Sequence, residues 1–121
     1  MKISLQNKKA LIGGSSKGLG FAVAEQLALS GAQVTIVSSN ERLLKERVLA
    51  LNKKTALKHN FLVCDYNDHE SYAKKISEYF DVNPIDILVN NTQGPIAGDV
   101  NSVSINDYQN AFDLLLSLIH I

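Results

Sequence analysis

The chain is poor in the groups from which thiol and metal chemistry are built. One cysteine, Cys64, is its whole thiol complement, so no internal disulfide can form. That fits a reducing compartment, and a cytoplasmic protein is expected. Cys64 closes the apolar run Phe61-Leu62-Val63-Cys64, where a small buried hydrophobe is the expected role and a reactive thiol the alternative. The three histidines, His59, His69 and His120, show no spacing that would gather them around a metal, and all three read as incidental. No net charge is left over, because 12 Lys+Arg meet 12 Asp+Glu. This argues against nucleic acid or an anionic membrane as partner. No apolar run approaches the ~20 residues of a membrane span, and Met1 to Lys8 is too polar for a secretory signal. Repeats and low-complexity segments are lacking too. At 121 residues, 45% hydrophobic and 20% charged, the chain has the size and composition of one globular domain.

What is present centres on Gly13-Gly14-Ser15-Ser16-Lys17-Gly18-Leu19-Gly20. The apolar run Lys9-Ala10-Leu11-Ile12 before it reads as a buried strand. Phe21, Val23, Ala24, Leu27 and Ala28 after it recur at helical spacing until Ser30-Gly31. A helix N-terminus offers free N–H groups and the positive end of a dipole, which suits a phosphate. Glycines at 14, 18 and 20 can supply positive φ, close approach to a ligand and tight helix–strand contact. Taken alone, the pattern also fits a strand-to-helix turn with no ligand. Its spacing, Gly-x-x-x-Gly-x-Gly, is wider than the common dinucleotide fingerprint.

Further along, Gln33-Val34-Thr35-Ile36-Val37 reads as a second strand ending at Ser38-Ser39-Asn40, which completes a right-handed βαβ unit. A helix over about 41–51 follows, with Leu44, Val48 and Leu51 on one face, and Lys53-Lys54-Thr55 as a polar turn. A third strand is expected from about Ala56 to Cys64, ending at Asp65-Tyr66. Asn67 with Glu70 has the form of a capping box for a helix carrying Tyr72, Ala73, Ile76, Tyr79 and Phe80 on one face, stopped by Asn83-Pro84. Ile85-Asp86-Ile87-Leu88-Val89 is a fourth strand, apolar as a strand covered on both faces is. Asn90-Asn91-Thr92-Gln93-Gly94-Pro95 is its exit loop. Ser104 and Asp107 form a second capping box before a last, strongly apolar helix. Four strands alternating with helices predict an α/β fold, a doubly wound Rossmann-type parallel sheet of order 3-2-1-4 with helices on both faces. Ligands in such sheets bind beyond the carboxyl ends of the strands. Gly14, Ser38, Asp65 and Asn90 all stand there. Each alone reads as a turn, cap or loop residue; together, behind a glycine loop, they point to a ligand.

The whole pattern resembles the first half of the short-chain dehydrogenase/reductase family, and looks most like its 3-oxoacyl-[acyl-carrier-protein] reductase-like branch. The family's Thr-Gly-x-x-x-Gly-x-Gly loop is matched with Gly13 in place of threonine. Its acidic residue after the third strand, which contacts adenine, is matched by Asp65. Its Asn-Asn-Ala-Gly motif is matched by Asn90-Asn91-Thr92-Gln93. The resemblance implies a cofactor site made of Gly14, Ser16, Lys17, Gly18, Leu19 and Gly20, with Ser38, Ser39 and Asn40, Asp65 and Tyr66, and Asn90, Thr92 and Gln93. NAD selection usually needs a carboxylate after the second strand. Here that place holds Ser38, with no acid before Glu41, and Lys17 stands where basic residues meet the 2′-phosphate in NADP-dependent relatives. NADP is therefore the expected cofactor and NAD the lesser choice.

Three departures accompany the resemblance. Gln93 stands where the family has a glycine. Leu115 takes the place at which many relatives carry a catalytic asparagine. The family reaction uses a Tyr-x-x-x-Lys pair and an upstream serine, the tyrosine acting as proton donor while nicotinamide delivers hydride. Tyr66, Tyr72, Tyr79 and Tyr108 are followed at the fourth position by Glu70, Ile76, Asn83 and Phe112, so no catalytic residue is assigned. Residues 1–121 are expected to be a nucleotide-binding domain truncated before its catalytic half. The full-length protein would be an oligomeric oxidoreductase acting on a small carbonyl or alcohol. The alternative is a half-domain that binds a nucleotide or a partner without turnover.

Overall fold

The computed structural model describes residues 2–120, leaving aside the side chains at 118 and 120; expectations for Met1, Ile121 and the His120 ring lie outside the described residues. Strands β1 (Lys9–Ile12), β2 (Gln33–Ser38), β3 (Asn60–Val63) and β4 (Ile87–Val89) form one parallel sheet of order β3-β2-β1-β4. Between and after them run α1 (Gly18–Leu29), α2 (Glu41–Lys54), α3 (His69–Val82) and α4 (Ile105–Leu115), followed by a short 3-10 turn, Ser117–His120. The doubly wound architecture expected from the alternation of elements is the one observed.

Side chains alternate across a strand, so the two central strands feed two cores. Ala10 and Ile12 of β1 and Val34 and Ile36 of β2 face α1 and α2, where Ala24, Ala28, Leu44, Val48 and Leu51 meet them. Leu11 and Val37 face the other way, onto Tyr72 and Ile76 of α3 and Leu114 of α4. Cys64 belongs to this second core; it is fully buried, and burial pushes its thiol pKa up. It is a small hydrophobe.

Several local expectations are corrected. Lys53 and Lys54 form the last turn of α2, with Thr55 as its C-cap, because cations favour a helix C-terminus. The third strand is shorter than 56–64, starting at Asn60, and the fourth starts at Ile87. The cap of α3 is Asp68, which accepts the Ser71 N–H at 3.1 Å. Asn67 is diverted because its backbone N–H and Nδ2 both donate to Asp65 Oδ1 at 2.9 Å. The Ser104–Asp107 capping box does form, and these hydrogen bonds hold the Asp107 carboxyl below its ordinary pKa. Covering on both faces does not extend to β4, whose Leu88 is 50% exposed, because β4 pairs only with β1 and forms the sheet edge. Ile105, Tyr108 and Phe112 along α4, and Leu116 at its C-cap, are likewise exposed. No helix among the described residues is long and apolar enough to cross a membrane.

His59 is structural rather than incidental. It is buried, its Nδ1 accepts the Val34 N–H at 3.1 Å, and its Nε2 lies 2.7 Å from Thr55 Oγ1. Thr55 gives its own proton to the Leu51 carbonyl, so Nε2 carries the hydrogen and the ring is neutral. Burial lowers its pKa from 6.5. The unfolded chain therefore binds a proton that the fold resists, and stability falls as pH drops below about 6.5. We expect the thermal midpoint to decline between about pH 7 and pH 5.5, and His59→Gln to be less stable at neutral pH with a flatter decline. Equal slopes for the two proteins would remove His59 as the cause.

Candidate functional site

The loop from β1 to α1 is suspended between both neighbouring strands. Gly13 N–H donates to the Val89 carbonyl of β4, and Ser15 N–H to the Val37 carbonyl of β2, each at 3.0 Å. Ser15, fully buried, closes the junction: its hydroxyl donates to the Ile12 carbonyl at 2.6 Å and accepts the Val37 N–H at 2.9 Å. Gly14 and Gly18 adopt left-handed φ values of 52° and 58°, a conformation that favours glycine. Gly20 serves a different need, since a Cβ there would strike the Gly14 carbonyl oxygen. On the outer side, Arg47 of α2 lies over the Phe21 ring and donates from Nε to the Ser16 carbonyl at 3.0 Å.

This loop forms one wall of a cavity of about 540 Å³ at the carboxyl edge of the sheet. Gly14, Ser16, Lys17, Gly18, Leu19 and Gly20 line it from the loop and the first turn of α1, with Ser38, Ser39 and Asn40 at the exit of β2. Asp65 and Tyr66 line it after β3, and Thr92 and Gln93 after β4. Of the residues singled out from the sequence only Asn90 stays outside the lining; it is exposed, and Asn91 takes its place. Asn91 Nδ2 donates to the carbonyls of Gly13 and Gly14 at 3.1 and 3.3 Å. Leu43 and Gly94 complete the lining. Leu43 is three residues past the α2 cap, a spacing that places it on the same helix face. Nothing in the local pattern distinguishes Asn91 from Asn90. Leu115 ends α4 and is not part of the lining.

The electrostatics of the cavity favour an anion on the side formed by the loop, the start of α1 and the exit of β2, away from Asp65. Helices α2, α3 and α4 begin with side-chain caps, from Asn40, Asp68 and Ser104. Helix α1 has no side-chain cap and no acidic residue in its first turn, so its leading N–H groups and its dipole are left for whatever enters. Lys17, exposed at the N-cap position, adds a cation. Asn40 Oδ1 is spent on the Leu43 N–H at 3.0 Å, so its amide N–H₂ remains a donor beside the hydroxyls of Ser38 and Ser39. Tyr66 is buried, and burial pushes its hydroxyl pKa well up; Tyr72 behind it is pushed up to about 12 for the same first reason. Both are neutral phenols. Among the described residues no group of three or more His, Cys, Asp or Glu could hold a metal ion.

The chain is similar to known proteins in sequence and fold. The family model described as short chain dehydrogenase matches residues 8–119. The 3-oxoacyl-[acyl-carrier-protein] reductase FabG of Aquifex aeolicus is 36% identical over 92 residues, 75% of this chain and 37% of that protein. A tropinone reductase homolog of Arabidopsis thaliana is 35% identical over 107 residues, 87% of this chain and 40% of that protein. Among solved structures, the L-sorbose reductase of Gluconobacter frateurii, complexed with NADPH and L-sorbose, superposes with a TM-score of 0.88 at 26% identity, covering 99% of this chain and 46% of that one. The chain thus spans less than half the length of each of these three proteins.

Ser15→Ala tests how the loop is held. It removes the bridge and leaves the Val37 N–H without a partner, so a loss of about 1–3 kcal/mol is expected in urea unfolding. A loss below about 0.5 kcal/mol, the scatter of neutral surface changes, would mean that the loop does not depend on this hydroxyl.

Proposed function

Because the chain belongs to the short-chain dehydrogenase family, we propose that residues 1–121 form the NADP(H)-binding part of a reductase acting on a small carbonyl or alcohol. The observation that carries the reading is the uncapped start of α1, opening on a cavity lined by left-handed glycines, Lys17 and the donors after β2. The dinucleotide fits this donor set: the pyrophosphate belongs at the loop and the first turn of α1. The 2′-phosphate belongs with Lys17, Ser38, Ser39 and Asn40, where a ribose-binding carboxylate is lacking. Asp65 and Tyr66 border the adenine side, and Asn91, Thr92 and Gln93 the exit of β4 toward the nicotinamide. When bound, the cofactor supplies the reducing equivalents; these residues bind and orient it. The likeness to FabG supports a 3-oxoacyl thioester as the substrate class of the full-length protein, and the L-sorbose reductase, complexed with L-sorbose, leaves a sugar ketone as the alternative.

Lys17→Glu separates the two cofactors. A charge-assisted hydrogen bond to the 2′-phosphate is lost and replaced by repulsion, so NADPH affinity should fall about ten- to a hundredfold while NADH changes less than about threefold. Fluorescence titration of both nucleotides decides it. Equal losses would mean that Lys17 does not read the 2′-phosphate, and no binding of either nucleotide to the unaltered chain would overturn the proposal.

A further inference from the structure

The peptide group joining Gly13 to Gly14 is gripped at both polar ends by side chains from other parts of the chain. Its carbonyl, that of Gly13, accepts from Asn91 Nδ2 at 3.1 Å. Its N–H, that of Gly14, donates to Tyr66 Oη at 2.8 Å across 52 residues of sequence. The tyrosine is 6% exposed and packs on Tyr72, with ring centroids 4.9 Å apart. Gly13 makes room for this contact, since a Cβ there would lie 2.6 Å from Tyr66 Oη and would strike the Asn91 carbonyl. The hydroxyl thus occupies space that any larger residue at position 13 would claim.

From this geometry we infer that Tyr66 is a positioning residue for pyrophosphate: it locks the Gly13–Gly14 peptide plane and so aims the loop N–H groups that follow. The inference rests on the nucleotide reading above and deepens it. A glycine in left-handed conformation crosses easily to other backbone regions, and Gly14 sits at φ 52° directly after this peptide. A peptide flip there would carry Gly14 out of its left-handed φ and disturb the turn that leads into Ser15 and the phosphate-facing loop. With the carbonyl held by Asn91 and the N–H by Tyr66, a flip breaks two hydrogen bonds at once. The loop is therefore pre-organised before a ligand arrives, which saves ordering cost on binding. Tyr66 also lines the cavity, so the same side chain spans from the loop backbone to the ligand wall.

Tyr66→Phe removes the hydroxyl and keeps the ring packed on Tyr72. Two ligands are titrated by NMR into both proteins: NADPH, and adenosine 2′-phosphate, which has no pyrophosphate. Affinity for NADPH should fall about two- to tenfold, a larger factor than any loss of adenosine 2′-phosphate at the adenine wall that Tyr66 shares, and the Gly14 amide of the ligand-free variant should exchange faster than in the parent. Equal loss of both ligands, or no loss of NADPH, overturns the positioning role while leaving the nucleotide reading intact. Failure of the unaltered chain to bind NADPH overturns both. Should Tyr66→Phe fail to fold, the parent decides: a Gly14 amide exchanging as fast as that of exposed Gly94 overturns the lock, and strong protection supports it.

Discussion

The contact on which the rest of the site depends is the approach of Gly20 to the Gly14 carbonyl. The first turn of α1 lies so close to the loop that no Cβ fits between them, and this closeness brings the helix N-terminus to the carboxyl edge of the sheet. A side chain at position 20 would push α1 outward and enlarge the gap between its leading N–H groups and the strand ends. Ser15, tied to β1 and β2 at once, fixes the other end of the same turn. The cavity is therefore a consequence of how tightly one helix is joined to one strand.

Sheet order then decides what else reaches that cavity. With β1 flanked by β2 and β4, the exits of both neighbours fall beside the glycine loop, and the exit of β3 lies one strand farther out. That is why Asn91 can hold the loop backbone directly, while β3 needs the long reach of a tyrosine to do so. The sheet spends its best-buried strands, β1 and β2, on supporting the loop. Its edge, β4, leaves Leu88 half exposed, and α4 leaves a line of large apolar side chains open.

Most of this was legible in the sequence because period and punctuation agreed. Ala10, Leu11 and Ile12, the glycine spacing and the apolar repeat of α1 each pointed to the same strand–turn–helix unit, and cooperating signals locate an element better than any one alone. What was not legible came from side-chain hydrogen bonds that no periodicity announces. Asp65 takes the N–H of Asn67 and moves the α3 cap to Asp68. His59, which looks like a stray histidine, is bound to Val34 and Thr55. Asn90 and Asn91 are indistinguishable locally, and only the end of β4 at Val89 decides which one turns back to the loop. Gly13, standing where the family has threonine, leaves room that the Tyr66 hydroxyl fills.

The contrast among helix starts bears on how stability and function are divided. A side-chain cap contributes about 1 kcal/mol, and among the described residues α2, α3 and α4 each have one. Helix α1 goes without, although serines stand just before it at 15 and 16. Ser15 is turned inward to the sheet, and Ser16 gives its carbonyl to Arg47. Both interactions hold the loop without occupying the N–H groups of α1. A capped α1 would be more stable alone and less able to receive an anion, because a cap and a phosphate compete for the same donors. The loop is held instead by Ser15, Tyr66 and Asn91 on the sheet side and by Arg47 on the outer side. Each of them bonds to the loop or to the strand beneath it and leaves the leading donors of α1 facing the cavity.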